Sequence, residues 1–198
     1  MLYTEQMTPS IDDLINKVTE NCTREDFEYR EWFVSYHLRI VEEVALKLAA
    51  AYPEADKDLV RVLAWTHDYS KPLTRDKESE KSSLLPMVRT ALSELSFDET
   101  YIANVCSRLE EIESKDTQPI EKASIEAQII SSADGAAHLI GPFFYSYFRN
   151  DPSESIIVTM QRVMQKANRD WEKKILLPEA RELVRVRYEK LKEDMQIR

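Results

Sequence analysis

The chain has 198 residues, of which 43% are hydrophobic and 32% are charged, and this suits one compact domain with a substantial core. Its formal net charge of −9 argues against a protein that binds nucleic-acid polymers through a broad basic surface. Only two glycines occur, and because sheet-rich folds need glycine in their turns, the composition favours helices.

Helical periodicity runs through most of the chain, and no segment predicts a strand. Ser10 is a suitable N-terminal cap for the first helix, and Pro72 ends the third because proline disfavours helical geometry in the residue before it. Pro86 predicts a late start or a kink in the fourth helix, and Gly141-Pro142 predicts a break in the sixth. The predicted helices span about 10–20, 24–51, 55–69, 82–96, 98–114, 120–150, 153–174 and 178–195, with a surface loop at 72–82 and a turn at 115–119.

The sequence shows no segment that would direct or anchor the chain outside the cytoplasm. Its first residues include acids and lack an apolar signal-peptide core, and it has no stretch of 18 apolar residues that could span a membrane. The two cysteines, Cys22 and Cys106, lie far apart, so a disulfide framework is not expected. We therefore expect a cytoplasmic protein with no membrane partner.

Polar side chains interrupt the apolar faces of three predicted helices. His37 and His67 fall on core-facing stripes, and Asp134 lies among small residues that offer it no obvious cation partner. A buried carboxylate is costly unless it is paired or bound to a metal. Together with Asp68, which directly follows His67, these residues predict a site for one divalent ion. Two imidazoles and two carboxylates suit Mn, Fe, Co, Ni or Zn, and Mg is left open.

The order of these residues resembles that of a known family. His37, then His67-Asp68, then Asp134 is similar to the H…HD…D signature of the HD-domain phosphohydrolases, over roughly residues 30–150. The string WTHDYSKP resembles the family's HD-x-x-K segment. The resemblance implies an all-α HD-domain bundle over residues 1–198, with accessory helices at about 153–195. It also implies metal-dependent hydrolysis of a phosphate mono- or diester of a nucleotide-like small molecule.

The chain departs from several branches of that family. No histidine lies between His67 and Asp134, where relatives with two metals, including the di-iron oxygenases, carry further histidines. Lys71 stands where deoxynucleotide monophosphatases have a glutamate, and the HD-x-x-E-D pattern of guanosine-tetraphosphate hydrolases is missing. We therefore expect a single tightly bound metal, with a weaker second cation at Glu110 or Glu113 left open.

Four residues are predicted to act in catalysis, and each has a structural alternative. Asp68 holds the metal or caps a helix end, and Lys71 neutralises substrate phosphate or is a solvated lysine. Glu113 is a general acid or base, or part of a solvated face with Glu110 and Glu111. His138 donates a proton beside the metal ligands or is a packed histidine. Arg75 is a further candidate for binding substrate phosphate.

Two interpretations concern larger features of the chain. The aromatic residues at 143–148 are interpreted as core or as the surface of a homodimer, in preference to a base-stacking pocket. A non-catalytic HD module that binds a nucleotide or a protein partner is the alternative to the enzyme. The intact set of predicted ligands favours the enzyme.

Overall fold

The computed structural model describes residues 10–114, 119–150 and 153–195, and within these ranges it contains helices and turns but no strand. The all-α prediction is therefore confirmed. None of the helices in these ranges is long and apolar enough to cross a membrane. The α-helices of the described ranges are α1 (Ile11–Cys22), α2 (Arg39–Ala49), α3 (Lys57–Thr66), α4 (Lys77–Glu94), α5 (Glu99–Glu113), α6 (Ile125–Ile140), α7 (Phe143–Asn150), α8 (Ile156–Lys173) and α9 (Pro178–Asp194).

Helix α6 is the centre of the fold, because 13 of its 16 residues are buried. A helix that is covered on every side must be surrounded by other elements, and α2, α3, α5, α8 and α9 all pack against it. The helices after residue 153 share the same core, since Val163, Ile175 and Val184 are fully buried in it. The polar residues of α6 are therefore held in the interior of the protein.

Several predicted boundaries are confirmed by local contacts. Ser10 caps α1 by accepting a hydrogen bond from the Asp13 backbone N–H at 3.3 Å. The break at Gly141-Pro142 separates α6 from α7. The predicted end of α3 at about residue 69 is wrong, because the helix ends at Thr66 and residues 67–70 form turns. Cys22 and Cys106 are free thiols. Most of the turn predicted at 115–119 lies outside the described residues.

The predicted helix over residues 24–51 is wrong in its first part. Residues 25–32 form successive turns, followed by a short π-helical turn at Val34–Leu38 and then α2. The rings of Phe27 and Tyr29 are in edge contact, with centroids 5.6 Å apart. Side chains two positions apart point away from each other on an α-helix, so this contact requires turns.

The loop predicted at 72–82 is wrong in its second half. Lys71–Leu73 form a 3₁₀ turn, and α4 begins at Lys77. The Asp76 side chain starts this helix by accepting hydrogen bonds from the backbone N–H groups of Glu78 and Ser79. The late start predicted from Pro86 is therefore also wrong, because the helix begins well before the proline and continues through it.

Candidate metal centre

His37 enters the centre from the π-helical turn at Val34–Leu38. The Arg39 N–H donates to the Val34 carbonyl five residues back, a wide turn that is frequent at functional sites. Gly141 lets this turn approach the end of α6, because a Cβ there would collide with the Tyr36 carbonyl oxygen. The His37 ring is 2% exposed, and its Nε2 has no hydrogen-bond partner among the described residues.

His67 and Asp68 lie just past the end of α3, where the chain leaves helical geometry. His67 Nδ1 lies 2.9 Å from the Ala64 carbonyl, so Nδ1 carries the proton and the Nε2 lone pair is left for another partner. Within the described part of the chain, that buried Nε2 also lacks a hydrogen bond. Asp68 Oδ2 lies 3.4 Å from His37 Nε2 and 3.6 Å from His67 Nε2.

Asp134 meets the same two imidazoles from α6. Its Oδ1 lies 3.8 Å from His37 Nε2 and 4.0 Å from His67 Nε2. One ligand atom each of His37, His67 and Asp134 lies within 4.8 Å of the others. Ligands about 2.1 Å from a shared ion are separated by at most about 4.2 Å, so these separations are close to those of a metal site.

These residues fit a divalent cation. Two buried imidazole nitrogens that face carboxylates without a hydrogen bond are costly, and a shared ion removes that cost. The cluster of His37, His67 and Asp134 could hold such an ion, as predicted. Asp68 as a fourth ligand stays a prediction.

Asp134 has a cation partner, so the expectation that it lacks one is wrong. Lys174, which follows α8 directly, donates a hydrogen bond to Asp134 Oδ2 and leaves Oδ1 facing the histidines. Burial would raise the pKa of Asp134, but Lys174 and the histidines outweigh it and hold that pKa well below its usual range. The partner lies 40 residues away in sequence, which is why the local sequence around Asp134 did not reveal it.

Gly135 is what lets Lys174 come so close to α6. A Cβ at this position would lie 2.7 Å from Ile175 Cγ1 and 3.1 Å from Lys174 Cβ, both too close for normal packing. The chain after α8 therefore packs directly over the backbone of α6. A glycine inside an otherwise helical pattern was the one sequence signal of this close approach.

His138 faces the centre from α6, one turn after Asp134, as predicted. Its Nε2 lies 3.3 Å from Asp134 Oδ1, and its Nδ1 lies 2.9 Å from Asp170 Oδ2. Burial, reinforced by Lys166, lowers the pKa of His138 to about 4 in spite of the two carboxylates, so the ring is neutral near pH 7. The sequence analysis missed Asp170, which holds this ring from α8.

Two further lysines lie beside the centre. Lys71 Nζ donates to Asp68 Oδ2 at 2.7 Å and lies over the Phe33 ring. Lys166 on α8 donates to both carboxylate oxygens of Asp170 and was also missed. Burial, reinforced by Lys174, lowers the pKa of Lys166 to about 8 in spite of Asp170.

A cavity of about 1300 Å³ opens onto His67 and Asp68. The predicted residues Lys71, Arg75 and Glu113 line it, as does Lys166, so they share one space with the metal centre. Phe143 and Tyr147 line it as well, although the aromatic cluster was interpreted as core or dimer surface. Phe144 is buried in the core, and Phe143 and Tyr147 pack against it, so the core interpretation holds for these three residues, and a dimer surface stays a prediction.

The three glutamates near the end of α5 have different surroundings. Glu110 is exposed, as expected of a solvated face. Glu111 instead accepts hydrogen bonds from the Ser124 backbone N–H at 3.1 Å and from the Ser124 hydroxyl, so its assignment to a solvated face is wrong. Glu113 lines the cavity, and its role as a general acid or base stays a prediction.

Comparison with known proteins agrees with the geometry. The HD domain family model matches residues 34–137, just over half of the chain. The match contains all four predicted metal ligands and ends one residue before His138. Neither a curated protein nor a solved structure matches the chain.

Proposed function

The chain belongs to the HD-domain family, and we propose that it is a metal-dependent phosphohydrolase that acts on a small phosphate ester. One observation carries this proposal. The buried Nε2 atoms of His37 and His67 have no hydrogen bond within the described ranges, and both face the carboxylates of Asp68 and Asp134. A divalent ion is the group that satisfies all four side chains at once.

Catalysis would combine this ion with side chains on the cavity wall. When bound, a divalent ion lowers the pKa of a coordinated water and withdraws charge from a phosphoryl oxygen. Lys71 would bind a non-bridging phosphate oxygen, because its ammonium group lies in the cavity beside Asp68. His138 Nε2 would exchange a proton beside Asp134, with Asp170 holding its Nδ1–H.

Glu113, which also lines the cavity, would donate a proton to the leaving oxygen. The cavity is large enough for a nucleotide-sized ester, and eight lysine or arginine side chains line it against six carboxylates, in a chain whose net charge is −9. A small molecule is therefore a better substrate than a nucleic-acid polymer. We expect the protein to act in the cytoplasm. A homodimer stays a prediction.

A non-catalytic HD module is the second candidate, and one observation favours it. Lys71 pairs with Asp68 and Lys174 pairs with Asp134, so both carboxylates have a cation without any metal. Such pairs could stabilise a module that only binds a nucleotide or a protein. The orphaned imidazole nitrogens favour the enzyme, because the lysines leave them unsatisfied.

Metal content and ester hydrolysis separate the two candidates. We expect one equivalent of a divalent metal per chain by elemental analysis of the purified protein. We also expect hydrolysis of members of a phosphate-ester panel after reconstitution with Mn, Fe, Co, Ni, Zn or Mg, and no hydrolysis after chelation. A protein that takes up no metal from excess Mn or Ni, and hydrolyses no ester, would be the binding module.

A further inference from the structure

The charges buried around the metal centre form three carboxylate–lysine pairs. They are Asp68 with Lys71, Asp134 with Lys174, and Asp170 with Lys166. The six side chains are between 0% and 27% exposed, so solvent and salt screen them much less than surface charges. Each negative charge at the centre is thus balanced by a positive charge of the protein.

The other groups at the centre do not change this balance. In the loaded site His37 and His67 hold the ion through their Nε2 atoms, and a histidine that binds a metal is neutral. Beyond the three pairs, six lysine or arginine side chains and five carboxylates line the cavity, a difference of one positive charge. The protein's own charge around the centre is therefore close to zero.

This balance determines the charge of the loaded site. In a site whose carboxylates have no lysine partners, two carboxylates cancel the charge of a divalent ion. Here the lysines already cancel the carboxylates, so the ion's two positive charges stay uncompensated by the protein. A ligand with two negative charges would restore neutrality in this poorly screened environment, whereas a monoanion would leave a positive charge there.

We propose that the metal-loaded site selects phosphate monoesters, bound as dianions, over phosphate diesters. This inference rests on the proposed phosphohydrolase function and narrows its substrate class. The second ionisation of a phosphate monoester occurs at about pH 6, so a monoester is mostly a dianion at pH 7, where Lys166 is still protonated, while a diester stays a monoanion. Lys71 and Lys166 line the cavity and are positioned to contact the additional phosphate oxygen.

Two of the three lysines lie outside the segment that matches the family. Lys166 belongs to α8 and Lys174 directly follows it, whereas the family match ends at residue 137. The charge balance is therefore a property that the C-terminal helices add to the common metal-binding segment. Removing Lys174 should change anion selectivity as well as structure.

Anion binding to the intact metal-loaded protein tests the inference. By calorimetry of the Mn-loaded protein at pH 7, we expect methyl phosphate to bind at least about tenfold tighter than dimethyl phosphate. We also expect p-nitrophenyl phosphate to be hydrolysed faster than bis(p-nitrophenyl) phosphate. Equal affinities for the two anions would overturn the inference.

A substitution at Lys174 tests the charge balance itself. Lys174→Met removes one buried positive charge, so Mn should bind about tenfold tighter and methyl phosphate about tenfold weaker to the loaded protein. Lys173→Met is the matched control, because it removes the same charge from the exposed neighbouring residue and should change neither affinity. Weaker Mn binding in Lys174→Met would show a merely structural role for this lysine and overturn the inference.

The two proposals fail in different ways. Faster hydrolysis of the diester would overturn the monoester inference and leave the phosphohydrolase function standing. If neither ester is hydrolysed with any metal, the proposed function fails, and the two anion affinities still decide whether the loaded site prefers dianions.

Discussion

The two carboxylate–lysine pairs of the predicted ligands are built in different ways. Asp68 and Lys71 lie three residues apart in the turn after α3, on the cavity wall, with side chains 19% and 27% exposed. Asp134 and Lys174 join α6 to the end of α8 across 40 residues, with side chains 12% and 10% exposed. The first pair is local in sequence and borders the cavity, whereas the second lies in the interior of the protein.

This difference implies different roles for the two lysines. Lys71 can leave Asp68 and keep its ammonium group in water or on a substrate, because its stem is flexible and reaches the cavity. Lys174 has no comparable route to solvent, since it is held between two packed helices. The more exposed pair, Asp68 with Lys71, is thus suited to binding substrate. The buried pair, Asp134 with Lys174, fixes which oxygen of Asp134 faces the histidines.

The largest expected effect comes from breaking the buried pair. Asp134→Ala should abolish tight metal binding, and should lower the unfolding free energy of the metal-free protein by about 3–5 kcal/mol, because Lys174 is left as an unpaired buried charge. Urea denaturation measures the loss. The double variant Asp134→Ala/Lys174→Met should recover most of this stability but none of the metal binding. If Asp134→Ala is as stable as the wild type, Lys174 is not a costly unpaired charge, and the contrast between the two pairs is wrong.

Breaking the exposed pair should affect catalysis more than folding. Asp68→Ala should lower the hydrolysis rate at least about a thousandfold, because it removes a predicted metal ligand. The unfolding free energy should fall by less than in Asp134→Ala, since Lys71 reaches solvent. Circular dichroism should show an intact helical fold. Hydrolysis that persists at a near-normal rate in this variant would refute the assignment of the site.

Gly135 tests what brings Lys174 to the buried pair. Overpacking in Gly135→Ala should lower the unfolding free energy by about 1–3 kcal/mol. The higher helix propensity of alanine should offset about 1 kcal/mol of that loss. The added Cβ meets Ile175, so the cost should be smaller in an Ile175→Ala background. A double-mutant cycle measures this coupling. If the effects of the two substitutions simply add, the missing side chain of Gly135 does not determine how closely Ile175 packs on α6.

The two pairs also show how far the sequence predicts the site. The order of His37, His67-Asp68 and Asp134 is visible in the sequence because it resembles the family's signature. Lys71 is visible as a partner of Asp68 because the two lie only three residues apart. Lys174 is not visible in this way, because its partner is set by how α8 packs on α6. Only Gly135 marked that approach, and a single glycine does not identify what approaches it.

The fold was predictable to a similar extent. Apolar periodicity predicted most of the helices, because burial of one face determines that pattern. It failed at residues 25–32, where aromatic contacts impose turns, and at residues 77–82, where Asp76 caps a polar helix start. Both failures arise from side-chain contacts that hydrophobic periodicity does not describe.

The smallest expected effect concerns Glu113, which lines the cavity. If it transfers protons and the protein binds one metal, Glu113→Gln should remove one limb of the pH–rate profile and lower kcat about tenfold. Metal titration of the metal-free protein should still show one saturating phase with one equivalent. Glu110→Gln, an exposed change one turn earlier on α5, is the matched control and should alter neither measurement. If the wild type instead binds a second ion within about 4 Å of the first, and Glu113→Gln loses it, Glu113 is a metal ligand and the one-metal prediction is wrong.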